Sequence, residues 1–248
     1  MYKAIILDLD GTVVPQGSEN PPSERVTQAI SAAKDIIHVC IATGRPLFAS
    51  KYILDHLQLS GPCIFNNGVQ VYDPEKNEIV KEFPLPQKAL PNIMHIFKSH
   101  KQEILFFDGT SDVEHTLKEL PDTVFSVYLN KAPEMLVDII VGELRKIPNI
   151  EAHKMFSWED KNYFSIEVTS DQATKLHGIV EITKILKITK EEIIGVGDSY
   201  NDFPLLMASG LKIAMGNAVP ELKEIADFIA PSVDEDGVAT IIEKFVLT

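Results

Sequence analysis

The stretch Ala4-Ile5-Ile6-Leu7-Asp8-Leu9-Asp10-Gly11-Thr12 decides how this chain is read. Four consecutive apolar residues suit a strand buried on both faces, as in a parallel sheet. The run then meets two carboxylates two positions apart, and a glycine that lets the backbone turn sharply. In open α/β sheets the carboxyl ends of the strands line the ligand crevice, so Asp8 and Asp10 stand where chemistry is done. A bare Asp-x-Asp is more often an exposed turn. The full Asp-x-Asp-Gly-Thr after a buried strand is far more specific, and three further segments agree with it.

Outward from that strand, short apolar runs alternate with helix-length amphipathic segments, at residues 23–34, 36–42, 46–57 and 64–72. The rhythm returns near the other end, with a helix over 173–186, a strand over 192–197, a helix over 201–208 and a strand over 212–215. That alternation is what a parallel sheet with crossover helices requires, so residues 1–81 and 171–248 read as one Rossmann-like α/β domain. Residues 82–170 differ in texture. Pro84, Pro86 and Pro91 mark the entrance, strand-like runs follow at 103–107, 124–129, 150–156 and 164–168, and helical spacing covers 134–146. This segment reads as a smaller α+β domain inserted into a loop of the first, a placement that loops tolerate because their ends lie close together.

With 248 residues, 45% of them apolar, the chain can bury one large core or two modest ones. The net charge of −13 supplies no basic patch to neutralise a phosphate backbone, which argues against nucleic acid and against an anionic membrane surface as partners. Cys40 and Cys63 each lie inside an apolar strand-like run and read as reduced core residues. No apolar stretch is long enough for a signal segment or a membrane span, so the expected compartment is the cytoplasm.

A second strand ends in Thr43-Gly44-Arg45-Pro46, where a hydroxyl and backbone N–H groups near a helix start can hold a phosphoryl oxygen. Lys175 lies in the helical segment that follows the insert. A third strand ends in Gly195-Val196-Gly197-Asp198-Ser199-Tyr200-Asn201-Asp202. Its Gly-x-Gly is not a dinucleotide fingerprint, because Tyr200 stands where the third glycine belongs and the element comes late in the chain. Asn201 and Asp202 suit a helix cap, whereas Asp198, closing a strand, does not. His95, His100 and His115 lack ligand spacing, and Trp158 with Phe156 and Phe164 reads first as packing near a domain junction.

Together these segments resemble the haloacid dehalogenase superfamily, whose four motifs fall in this order. Phe65-Asn66-Asn67-Gly68, Ala214-Met215-Gly216-Asn217-Ala218 and Glu235-Asp236-Gly237-Val238 extend the resemblance to its Cof-like branch, in which the insert is a type C2 cap. The family's lysine is often followed by glycine, whereas here Lys175 precedes Leu176-His177-Gly178. The resemblance implies a phosphatase acting on a small phosphorylated metabolite, a sugar phosphate first among candidates. It implies Asp8 as nucleophile, Asp10 as proton shuttle, and Thr43 and Lys175 as the groups that complete phosphate neutralisation. Leu9, Gly44, Arg45, Asn67 and Lys175 would contact substrate. Mg²⁺ would be held by Asp8, the Asp10 carbonyl and Asp198, with Asn201 and Asp202 accessory. A phosphomutase of the same superfamily is the nearest rival, and a receiver-type signalling module a distant one.

Overall fold

In the computed structural model, which describes residues 1–100, 104–114, 122–157, 160 and 162–248, the chain begins with β1 (Ala4–Leu7), whose four apolar residues are all buried. It continues through α1 (Glu24–Lys34), β2 (His38–Ile41), α2 (Leu47–Leu57), β3 (Cys63–Phe65), β4 (Gln70–Asp73) and β5 (Glu78–Glu82). Next come α3 (Leu90–Ser99), β6 (Ile104–Phe107), β7 (Asp112–Glu114), β8 (Ser126–Ala132), α4 (Glu134–Leu144), β9 (Ile150–Phe156) and β10 (Phe164–Ser170). The last stretch holds α5 (Lys175–Leu186), β11 (Ile193–Gly197), α6 (Phe203–Met207), β12 (Leu211–Ala214), α7 (Pro220–Ile225), β13 (Phe228–Ile229) and α8 (Gly237–Phe245).

Two compact units result. The first is Met1–Lys81 with Thr174–Thr248, and the second is Glu82–Ala173. In the first, a parallel sheet runs β13-β12-β11-β1-β2, with Leu7 level with Val196 on one side and with Ile41 on the other. Its helices fall into two mutually contacting groups, α1 with α2 and α8, and α5 with α6, as crossover connections on the two faces of a sheet require. The second unit is an antiparallel sheet, β7-β6-β8-β10-β9, with α3 packed on α4 and α4 on β9 and β10. Its own core gathers Ile93, Phe97, Phe106, Val127, Ile140, Ile166 and Val168. The fold is therefore α/β with a separate antiparallel domain, as the alternation of apolar and amphipathic segments predicts.

Two expected elements take a different form. The apolar run 64–72 is two antiparallel strands, β3 and β4, because Asn66, Asn67 and Gly68 all take positive φ and reverse the chain between them. The helix expected over 201–208 begins as a 3-10 turn, Tyr200–Asp202, and only its second half, Phe203–Met207, is α-helical. His115 and Trp158 lie outside the described residues, as does the side chain of Phe156. The two cysteines are free and buried, as core thiols.

Candidate active site

β1, β2, β11 and β12 deliver their carboxyl ends to one edge of the parallel sheet, β3 of the small β3-β4-β5 sheet runs alongside through the parallel Ala42–Ile64 bridge, and each end hands over at least one polar side chain. Asp8 follows β1, Thr43 follows β2, Asn67 follows β3, Asp198 follows β11 and Asn217 follows β12. From another direction comes Lys175, the first residue of α5. Thr174 caps that helix by accepting from the His177 N–H at 3.2 Å, and its hydroxyl also lies 2.8 Å from His177 Nδ1. Those contacts give His177 a local role at the helix start. Gly178, one residue later, lets α5 approach β3, since a Cβ there would come within 2.7 Å of Ile64.

Lys175 is 2% exposed, and its ammonium donates to Asp8 Oδ1 and to Asp202 Oδ1, each at 2.6 Å. Burial pulls the Lys175 pKa down, but the Asp202 and Asp8 carboxylates outweigh it and hold the ammonium above its ordinary value. Burial, reinforced by Asp202, pushes the Asp8 carboxyl well above the usual carboxylate range, against the pull of Lys175. Asp202 is fully buried, and its second oxygen accepts from the backbone N–H groups of Asp198 and Ser199 at 2.9 and 3.0 Å. Both Asp202 oxygens are thus engaged. The acid expected as accessory anchors the lysine and pins the loop that carries Asp198.

Carboxylate oxygens of Asp8, Asp198 and Asp202 lie within 4.8 Å of one another, the one such acidic group among the described residues. Asp198 Oδ1 is buried and accepts no hydrogen bond, although its partner oxygen accepts from Asn217. Burial, then repulsion from Asp202, lifts the Asp198 pKa to about 7. A hard cation prefers oxygen ligands and would satisfy that orphaned atom, so the donor set fits Mg²⁺.

Asp10 occupies a different environment. Arg45 clasps its carboxylate with a two-pronged fork, Nε to Oδ2 at 2.7 Å and Nη2 to Oδ1 at 2.5 Å. The remaining Arg45 donors reach the Tyr52 hydroxyl at 3.2 Å and the Ser18 carbonyl at 2.8 Å. Arg45, expected to meet the substrate, therefore has its guanidinium committed to Asp10 and its surroundings. Gly17 N–H adds a further bond to Asp10 at 2.9 Å.

Thr43 is buried, and its hydroxyl accepts from the Arg45 N–H at 3.1 Å. Asn67 donates its N–H to the Thr43 carbonyl at 2.9 Å and accepts from Asn201 Nδ2 at 3.0 Å. A Cβ on Gly44 would lie 3.2 Å from the Asn67 amide, so the two loops meet closely. The Leu9 side chain is wholly buried in the core, which leaves only its backbone to meet a ligand. Two contributors escaped the reading of the sequence, Tyr52 and Ser18 behind Arg45, and Asn217, quoted only as part of a motif, proves to stand beside Asp198. Tyr52 and Ser18 meet Arg45 from 7 and 27 residues away, outside any motif, so spacing gives no signal for them.

The profile of the haloacid dehalogenase-like hydrolases matches residues 5–116 and 109–242. The chain belongs to that family. YkrA of Bacillus subtilis (strain 168) is 30% identical to this haloacid dehalogenase-like hydrolase, across 99% of this chain and 98% of that one. YcsE of the same organism, a 5-amino-6-(5-phospho-D-ribitylamino)uracil phosphatase, is 29% identical across 99% and 96%. Among solved structures, a haloacid dehalogenase-like hydrolase from Bacteroides thetaiotaomicron superposes with a TM-score of 0.84 at 25% identity, covering 98% of this chain and 99% of the other. The chain is thus an enzyme of the phosphatase kind. No helix among the described residues is long and apolar enough to cross a membrane.

Proposed function

We propose that this hydrolase removes phosphate from a small phosphorylated metabolite, with Asp8 as nucleophile and Mg²⁺ as cofactor. The observation that carries the reading is the pairing of Asp8 with Lys175 beside Asp198, whose buried oxygen accepts no hydrogen bond. Asp8 attacks phosphorus in line, and the bond to the leaving oxygen breaks as the aspartyl-phosphate forms. Asp10, aimed by the Arg45 fork, delivers a proton to the leaving oxygen and takes one from the water that hydrolyses the acyl-phosphate. Lys175 holds Asp8 in place before reaction and faces the phosphoryl charge during it. Thr43, Gly44, the Leu9 backbone and Asn67 would contact the phosphoryl oxygens, with Asn201, which donates to Asn67, as an accessory group. Asp8, the Asp10 carbonyl and Asp198 would hold Mg²⁺, which offsets phosphate charge among several carboxylates.

A polyol or sugar phosphate is the substrate class we favour, supported by the ribityl phosphate named for YcsE, a relative matched over nearly its whole length. The test is phosphate release over a panel of metabolite monoesters, with Mg²⁺ and with EDTA. Release that needs Mg²⁺ and is greatest for polyol or sugar phosphates is the expected result. Absence of release from the whole panel and from para-nitrophenyl phosphate would reject the reading.

A further inference from the structure

Asn217 stands between three segments far apart in the chain, and its amide has a different partner on each side. Its Oδ1 accepts from the Val233 N–H at 2.9 Å. Its Nδ2 donates to the Gly11 carbonyl at 2.8 Å and to Asp198 Oδ2 at 3.2 Å. An amide has one acceptor oxygen and two N–H donors, so this set of partners leaves a single orientation. Turning the group over would set the oxygen against a carbonyl and a carboxylate. The Val233 N–H therefore acts as a key: it fixes which end of Asn217 faces the acid.

We infer that Asn217 is a positioning residue that aims Asp198 at the cation, by occupying one carboxylate oxygen and leaving the other for the metal. This inference rests on the reading of Asp8 and Asp198 as Mg²⁺ ligands. Its geometric support is independent of that reading, because the two Asp198 oxygens are unequal. Oδ2 has the Asn217 donor, whereas Oδ1 is buried with none. Gly11 has φ +77° and leaves the Asp198 carboxylate the space a Cβ would fill, so nothing on that side forces the carboxylate to turn.

The platform beneath Asn217 is itself braced. Met215 N–H donates to the Gly197 carbonyl at 3.0 Å, and Val219 N–H to the Asp198 carbonyl at 2.9 Å, clamping the loop to the end of β11 on both sides of Asn217. Lys223 Nζ donates to the Gly216 carbonyl at 2.6 Å. On the far side, Ser232 and Glu235 close a reciprocal cap around the Val233 turn. A group held by fixed backbone on every side can set the direction of a carboxylate; an Asn on a loose loop could not. The same atoms link the loop after β1 to the loop after β11, through the Gly11 carbonyl.

Isothermal titration of Mg²⁺ into the full chain, without substrate, tests this directly. Asn217→Ala should weaken Mg²⁺ binding by roughly 10- to 100-fold, the usual cost of removing a group that orients a metal ligand. Its melting temperature in EDTA should stay close to that of the parent, since Asn217 lies at the exposed rim. Ser232→Ala loosens the cap around Val233, whose N–H fixes the Asn217 orientation, while keeping the Asn217 amide itself. It should lower Mg²⁺ affinity in the same direction as Asn217→Ala but by a smaller factor, and an affinity equal to the parent's would overturn the part given to the Val233 turn in aiming Asp198. Equal Mg²⁺ affinity for Asn217→Ala and the parent would overturn the role assigned to Asn217. A parent that binds no Mg²⁺ would instead reject the metal reading beneath it.

Discussion

At the scale of single residues, the site divides into acids with distinct surroundings. Asp8 shares its lysine with Asp202, Asp198 faces an amide and keeps one oxygen without a donor, and Asp10 sits in an arginine fork. Asp8→Asn keeps the volume and removes the attacking charge, so it should abolish turnover and leave the melting profile cooperative. Residual activity above roughly one per cent, measured as phosphate release, would sink the nucleophile assignment. Arg45→Lys offers one ammonium in place of a planar fork. Because the Arg45 side chain reaches Asp10, we expect kcat to fall by about 10-fold or more, with the 10²- to 10⁴-fold a proton shuttle supplies as the upper bound, and KM nearly unchanged. A loss carried mainly by KM would return Arg45 to a direct contact with substrate.

At the scale of elements, a helix start and two turns set the geometry. Thr174→Ala removes the cap that begins α5 just before Lys175, and should cost about 1 kcal/mol of stability in denaturant unfolding. An unchanged midpoint would mean that the cap contributes nothing. Elements of this kind explain what was legible in the sequence. β1 and β11 were, because burial on both faces leaves an unbroken apolar run ending abruptly in an acid. The split between β3 and β4 was not, because Asn66 and Asn67 break the run through positive φ rather than through polarity alone. Lys175 could be singled out only by its place after the insert; what buries it is Asp8 and Asp202, 167 and 27 residues away. Asn217 falls in a quoted motif, yet its role depends on Val233 and Gly11, which no local pattern connects.

For the whole molecule, a half-buried carboxyl and an inserted unit each carry a prediction. A carboxyl that binds its proton more tightly folded than unfolded favours the folded state at low pH. For Asp198 that advantage fades as pH rises from the ordinary value of 3.8 towards about 7. In EDTA, Asp198→Asn should therefore melt higher than the parent at about pH 7.5, and the gap should shrink towards pH 5. A gap independent of pH would exclude Asp198 as its source. The second unit has its own sheet and core, and we propose that it selects the leaving group. Replacing residues 83–169 with a short Gly/Ser linker should keep Mg²⁺ binding and narrow the spread of kcat/KM across phosphate esters. A spread as wide as that of the intact chain would locate selection in the first unit.

The division of the first unit between Met1–Lys81 and Thr174–Thr248 also bears on how the chain is made. β1 pairs with β2 on one side, but its other edge waits for β11. At the ~5–20 residues per second of ribosomal synthesis, the intervening Glu82–Ala173 takes roughly 5–20 s to emerge. During that interval the nascent chain holds a half-built sheet with an open, wholly apolar edge, while the second unit, contiguous in sequence, has all it needs to fold. The late arrival of β11 closes that edge and, at its end, brings Asp198 to Asp8. The polypeptide completes its acidic cluster and covers that exposed strand edge in one step, so ribosome-bound chains ending before Ile193 should be the species that chaperones hold.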